Sequence, residues 1–117
     1  MAELPPLESF EILDWDDPEQ NSDPETNNLL HCQRPYRLGA DAEMIVYEVL
    51  AEEPVEVRFS VQTAEYAVVG PTMSSRTHYL ILFRRSHKRG DWLRPVTGWR
   101  AERAEIAEWT ASRSRRR

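Results

Sequence analysis

The sequence predicts an α+β domain: an antiparallel sheet of about four strands, two helices ahead of most of the sheet and one helix after it. Three observations carry this. "VEVRFSV" alternates apolar and polar residues, and two short apolar runs, "EYAVVG" and "THYLILF", follow it across turn residues. Ile45, Val46, Val49 and Leu50 recur at helical spacing behind Asp41. An alanine-rich helical pattern, "RAERAEIAEWTA", closes the chain. The order strand, helix, helix, strands, helix sets the helices against one face or one end of the sheet. At 117 residues there is enough chain for one domain with one core, and no internal repeat at a solenoid period.

Each element has its local reason. "MAELPPLE" reads as a flexible tail over residues 1–8, because Pro5–Pro6 opposes regular structure. "SFEILDW" alternates enough to be a short, partly buried strand. Asp17-Pro18 and Asp23-Pro24 both look like helix starts, since Asp can cap free N–H groups and Pro is tolerated at the first helical position. A helix is therefore predicted over residues 24–32. "QRPYRLGA" is a loop, and the helix from Asp41 ends before Pro54. Gly70-Pro71 and "MSS" mark a hairpin loop. "FRRSHKRGDWLRPVTGW" reads as a second hairpin, with Gly90 supplying a positive φ and Pro95 requiring an edge or a bulge. The last helix spans roughly residues 100–111. The domain covers residues 9–112, and residues 113–117 form a disordered basic tail.

Composition excludes several classes. The start lacks the basic and apolar regions of a signal peptide, and the apolar stretches are too short to span a bilayer. Cys32 is the single cysteine, so an intramolecular disulfide is ruled out and a cytoplasmic setting is expected; a small buried thiol is the preferred reading over a nucleophile. The net charge of −5 conceals a polar chain. Residues 1–53 hold fourteen acids and two cations; residues 54–117 hold six acids and thirteen cations. That asymmetry points to a polyanion partner for the second half, or to two halves that neutralise each other in the fold.

No GxGxxG, phosphate-binding loop or nucleophile elbow is present. His31, His78 and His87 lack metal-ligand spacing, and the acids of "DWDD" read as solvated caps, so neither a metal nor another cofactor is expected. What remains is a basic strip: Arg76, Arg84, Arg85, Lys88, Arg89, Arg94, Arg100 and Arg103. Alternation puts Arg84 on one strand face with His78, Leu80 and Leu82, and Arg94 with Trp92 and Val96. Arginines at the ends of two paired strands can hold a phosphate in a fork, with Arg100 joining them, and Trp92 and Trp99 can stack on bases. For Lys88 and Arg89, on a turn, solvated charge that blunts an edge is the stronger reading.

Three stretches carry a resemblance. "LRPVTGWRAERAEIAEW" is similar to the C-terminal signature of the BrnT-like toxins. "EYAVVGPTMSSRTHYLILFRR" resembles that family's strand pair. "DWDDPEQNSDPETNNLLHC" resembles its Trp-Asp followed by a helix with Asn four residues before His. The resemblance implies a RelE-like fold, the toxin half of a type II toxin–antitoxin pair, RNA cleavage without a metal, and neutralisation by a cognate antitoxin. Trp15, Asn27, His31, Gly70, Arg84, Arg94, Arg100, Glu105 and Trp109 occupy family-like positions. The sequence departs from the pattern at Trp99, which replaces the first of a pair of arginines, and at Leu30 and Cys32 around His31.

The reaction so implied is attack of a ribose 2′-OH on the adjacent phosphate. Arg84, Arg94 and Arg100 would hold the phosphate on one anion-sized pocket. His31 is the acid/base candidate, or else a core or cap histidine packing the first helix. Glu105 orients an arginine or is an exposed helical acid. Arg76, Arg85, Lys88, Arg89, Trp92, Trp99 and Arg103 would bind RNA. The competing reading is a non-catalytic interaction module of the same fold that binds a protein partner, through its acidic half or through a sheet edge. A DNA-binding role is disfavoured by the lack of a helix-turn-helix or ribbon signal.

Overall fold

The computed structural model describes residues 4–57 and 64–115, with side chains through residue 112. The chain is α+β. After a 3-10 turn at Leu7–Ser9 come β1 (Ile12–Leu13), α1 (Asn28–Cys32), α2 (Ala42–Ala51), β2 (Val55–Glu56), β3 (Tyr66–Pro71), β4 (His78–Arg85), β5 (Trp92–Arg100) and α3 (Arg103–Arg115). The described strands form one five-stranded sheet in the order β1-β5-β4-β3-β2. Three pairings are antiparallel, as expected, but β1 lies parallel to β5, with Ile12 opposite Trp92 and Leu13 opposite Leu93. The sheet is therefore mixed. Alternation reveals a strand but not its direction, and no hairpin ties β1 to its neighbour.

The helices cover both faces rather than one. On the first face Cys32, Leu38, Ala42, Ile45, Val46 and Val49 pack on Tyr66, Val68, Ile81, Phe83 and Leu93. On the second, Val55, Ala67, Val69, Leu80 and Leu82 meet Val96, Trp99 and Trp109, so α3 closes that side. This is why Tyr66–Gly70 and Leu80–Phe83 are buried without interruption: a strand covered twice reads as a continuous apolar run. No helix among the described residues is long and apolar enough to cross a membrane.

Several local expectations change. Neither Asp-Pro pair opens a regular helix. Asp17 Oδ1 accepts from Glu19 N and Asp23 Oδ1 from Glu25 N, so each closes a single turn. Helix α1 starts later, capped by Asn27, whose Oδ1 accepts from Leu30 N at 3.0 Å. Strand β3 runs through Gly70 and Pro71, and the turn follows them. Gly90 does not adopt a positive φ; Gly39 does (87°), as do Glu53 and Arg76. The β4–β5 turn is instead held by Ser86 Oγ, which accepts from Lys88 N and Arg89 N. Pro95 sits at a bulge, where the register shifts so that Phe83 faces Pro95 and Leu82 faces Thr97. Gly98 lies beneath Leu38, and a Cβ there would meet Leu38 Cδ2 and Leu80 O at 3.0 Å.

The expected tail is tied down near its end, where Tyr66 Oη donates to Pro5 O at 2.6 Å and Leu7 packs on the first core. Helix α3 continues to Arg115, past the predicted end, and residues 116–117 lie outside the described residues. The predicted strand "VEVRFSV" is β2 at its start, with Val57 N donating to Ala67 O; from residue 58 it too lies outside them.

Candidate functional site

Strand pairing sets Arg84 directly opposite Arg94 near the β4–β5 turn. Strand β1 pairs with only the first two residues of β5, so the rest of that edge is open to α1. Asn28, buried, closes it by donating from Nδ2 to Pro95 O and to Asp14 O, both at 2.8 Å. Docked this way, α1 carries His31 to the bulge, where Nε2 lies 3.1 Å from Thr97 Oγ1. A pocket of about 290 Å³ results; His31, Arg84, Arg94 and Val96 line it together with Asn27, Asn28, Thr26 and one acid, Glu25. Three of the proposed catalytic residues line it, two from one hairpin and His31 from a distant stretch of sequence.

The two arginines differ in their partners. Arg94 grips Asp16 with both prongs, Nη1 to Oδ1 at 2.9 Å and Nη2 to Oδ2 at 2.7 Å, and Nη1 also reaches Asp14 Oδ2 at 3.3 Å. Asn28 fixes the acid side, since its Oδ1 accepts from Asp16 N and its own N–H donates to Asp16 Oδ2. The hydrogen bond from Arg94 holds the Asp16 carboxyl below the usual carboxylate range, and Asp16 in turn raises the Arg94 guanidinium. Arg84, by contrast, is in no ion pair among the described residues. Its Nη2 lies 3.2 Å from His87 Nδ1, and its buried Nε has no hydrogen-bond partner among the described residues.

The expected convergence of Arg84, Arg94 and Arg100 on one anion does not occur. Arg100 faces Tyr79, at the other end of β4 from Arg84. Five residues of strand separate the two positions by roughly 17 Å. Arg76, in the β3–β4 turn, and Arg103, at the start of α3, belong to that far end. Arg85 is held by Glu65, Nη2 to Oε2 at 2.7 Å and Nε to Oε1 at 3.2 Å. Lys88 and Arg89 are exposed on the β4–β5 turn. Trp92 and Trp99 sit at opposite ends of β5 and do not form one stacking platform; the Arg89 guanidinium lies 4.9 Å from the Trp92 ring centre and that of Arg37 5.4 Å from the Trp99 ring centre. Among the described residues Glu105 orients no arginine: its Oε1 accepts from Glu102 N at 2.7 Å, capping the start of α3.

His31 is pushed below the ordinary imidazole value, first by burial and then by Arg37 and Arg34, so it is neutral at pH 7. Cys32 is fully buried and burial pushes its thiol up to about 12, which leaves no thiolate for nucleophilic work. The "DWDD" acids are not solvated caps alone: Asp14 and Asp16 turn to Arg94 while Asp17 closes a turn. Among the described residues no group of three or more His, Cys, Asp or Glu is arranged to hold a metal.

Sequence reasoning passed over Asn28 and Thr97. Asn28 has no motif around it. Thr97 follows Val96 in "PVTGW", immediately past the bulge, and its hydroxyl meets His31. The Asp14–Asp16 clamp did leave a signal: two acids at i, i+2 beyond a strand share a side, and they come from the acidic half that was open to neutralising the basic one. Compared with family models, curated proteins and solved structures, the chain matches none of them.

Proposed function

We propose that this chain is a BrnT-like toxin of RelE-like fold, a metal-independent endoribonuclease of the cytoplasm that is neutralised by a cognate antitoxin. The observation that carries the reading is the single pocket lined by His31, Arg84 and Arg94. The pocket has room for a phosphate, and of its two arginines Arg84 is the one in no ion pair among the described residues. In the proposed reaction Arg84 binds the scissile phosphate and stabilises its developing charge. Neutral His31, steadied by Thr97, takes the 2′-OH proton. The oxygen attacks phosphorus, and the 5′ oxygen leaves with a proton taken from water. The products are a 2′,3′-cyclic phosphate and a 5′-OH. Arg94, held by Asp14 and Asp16, forms the pocket wall beside Arg84 and makes no separate contact to the phosphate. Arg100 and Glu105 take no part in the step.

Incubating the purified protein with RNA in EDTA tests this. Cleavage is expected, and His31→Ala or Arg84→Ala should each reduce it by about 100-fold or more. Cleavage that survives both substitutions would sink the assignment.

A second reading is favoured by one observation. Asp16 meets Arg94 with the fork geometry a phosphate would use, so an internal carboxylate already fills that position. This supports a non-catalytic interaction module of the same fold. Intact RNA in the same assay, together with tight binding to the product of a neighbouring gene, would decide for it.

A further inference from the structure

Away from that pocket, and sharing no residue with it, a groove of about 680 Å³ runs between the first segment of the chain and α2. Its floor is Leu13, Leu50 and Leu93, and Phe10 and Tyr47 stand at its sides. Glu8, Glu11, Glu53 and Glu56 rim it, and no Lys, Arg or His is among its described lining residues. The volume lies within the range of pockets that take a ligand. Tyr47 is 53 % exposed beside this floor, an apolar ring held in water.

We infer that the groove docks a cationic amphipathic segment of a second protein, with apolar side chains set on the leucine floor and Lys or Arg residues against the exposed Glu8, Glu11 and Glu56. The proposal deepens the partner half of the reading above and rests on it for the existence of a protein partner. Charge complementarity selects the occupant: an apolar slot with one sign of charge around it favours the opposite sign and repels an acidic segment. A second copy of this chain fits less well. Its cations lie in the later half, yet the large apolar side chains exposed among the described residues are Leu4, Ile12, Tyr36, Met44, Tyr47 and Met73. None belongs to the basic region from Arg84 to Arg103, so that surface brings charge without an apolar anchor. Helix-in-groove recognition needs both.

The test uses a labelled peptide of about 18 residues with leucines at i, i+3, i+4 and i+7 and lysines elsewhere. Controls are a Lys/Ser peptide of equal charge and a Glu/Leu peptide of equal apolarity, read by fluorescence anisotropy at about 0.15 M salt. The Lys/Leu peptide should bind saturably and both controls should not. Tyr47→Ala, and separately Glu8→Lys with Glu11→Lys, should each weaken binding about tenfold or more. These residues are on the surface, so both variants keep the fold. Equal binding of Lys/Ser and Lys/Leu, or variants that bind like the parent, would overturn the proposal. So would self-association in sedimentation that Tyr47→Ala abolishes, which gives the groove to a second copy. The RNA assay separates the two readings: the groove variants should cleave as the parent does, whereas His31→Ala should bind the peptide undiminished.

Discussion

At the turn end of β5, Arg94 lies under three carboxylate oxygens and is largely shielded from water; at the far end Arg100 stands exposed opposite Tyr79. The two share a residue type and a strand, and in the sequence they carry the same signal. Their difference comes from what the rest of the chain brings to each end. The acidic first segment reaches only the turn end, because β1 pairs there and nowhere else on β5. A guanidinium thus acquires its meaning from its partners: Arg94 joins the two halves of the chain, and Arg100 is a surface charge.

The sharpest way to probe that difference is to remove Arg94. Arg94→Ala leaves Asp14 and Asp16 poorly hydrated and unpaired, and should lower stability by about 3–5 kcal/mol in urea unfolding. A loss under about 1 kcal/mol would mean the clamp is ornamental. Acid should do the same work more gently. The folded-state pKa of Asp16 is lowered by its bond to Arg94, so its contribution is complete above the ordinary carboxylate range and is lost as pH falls through the lowered value. The urea midpoint should therefore drop between about pH 5 and pH 2, and drop less steeply in the Arg94→Ala protein. Equal slopes would break the link between the clamp and Asp16. Smallest of all is Arg100→Ala, expected within about 0.5 kcal/mol of the parent. A larger loss would erase the contrast between the two ends.

How far the sequence could be read follows the range of each interaction. Helix α2 and strands β3 and β4 were legible because Ile45, Val46 and Val49, or Val68, Ile81 and Phe83, announce their burial through spacing alone. Pro95 foretold its bulge, because a residue without an N–H must sit where the ladder is broken. Gly90 misled, because Ser86 supplies the turn by a side-chain bond that composition does not reveal. The site was half legible. Pairing of the two hairpin strands brings Arg84 to Arg94, and the helical Asn27-to-His31 spacing drew attention to His31. Counting along β5 would have separated Arg100, since six strand residues span about 20 Å. The parallel direction of β1, the role of Asn28 and the choice of Asp16 as the partner of Arg94 depend on contacts between segments far apart in sequence, and no local pattern encodes them.

The short parallel pairing of β1 has a consequence for how the molecule is made. Asp14 and Arg94 are 80 positions apart, so during synthesis the opening segment waits for nearly the whole chain before it finds its neighbour. Contacts of such long reach close last and slow folding. Until then the newborn chain carries its acidic end undocked, and one late event both pairs the start of the β5 border with β1 and gives Arg94 its carboxylate partners.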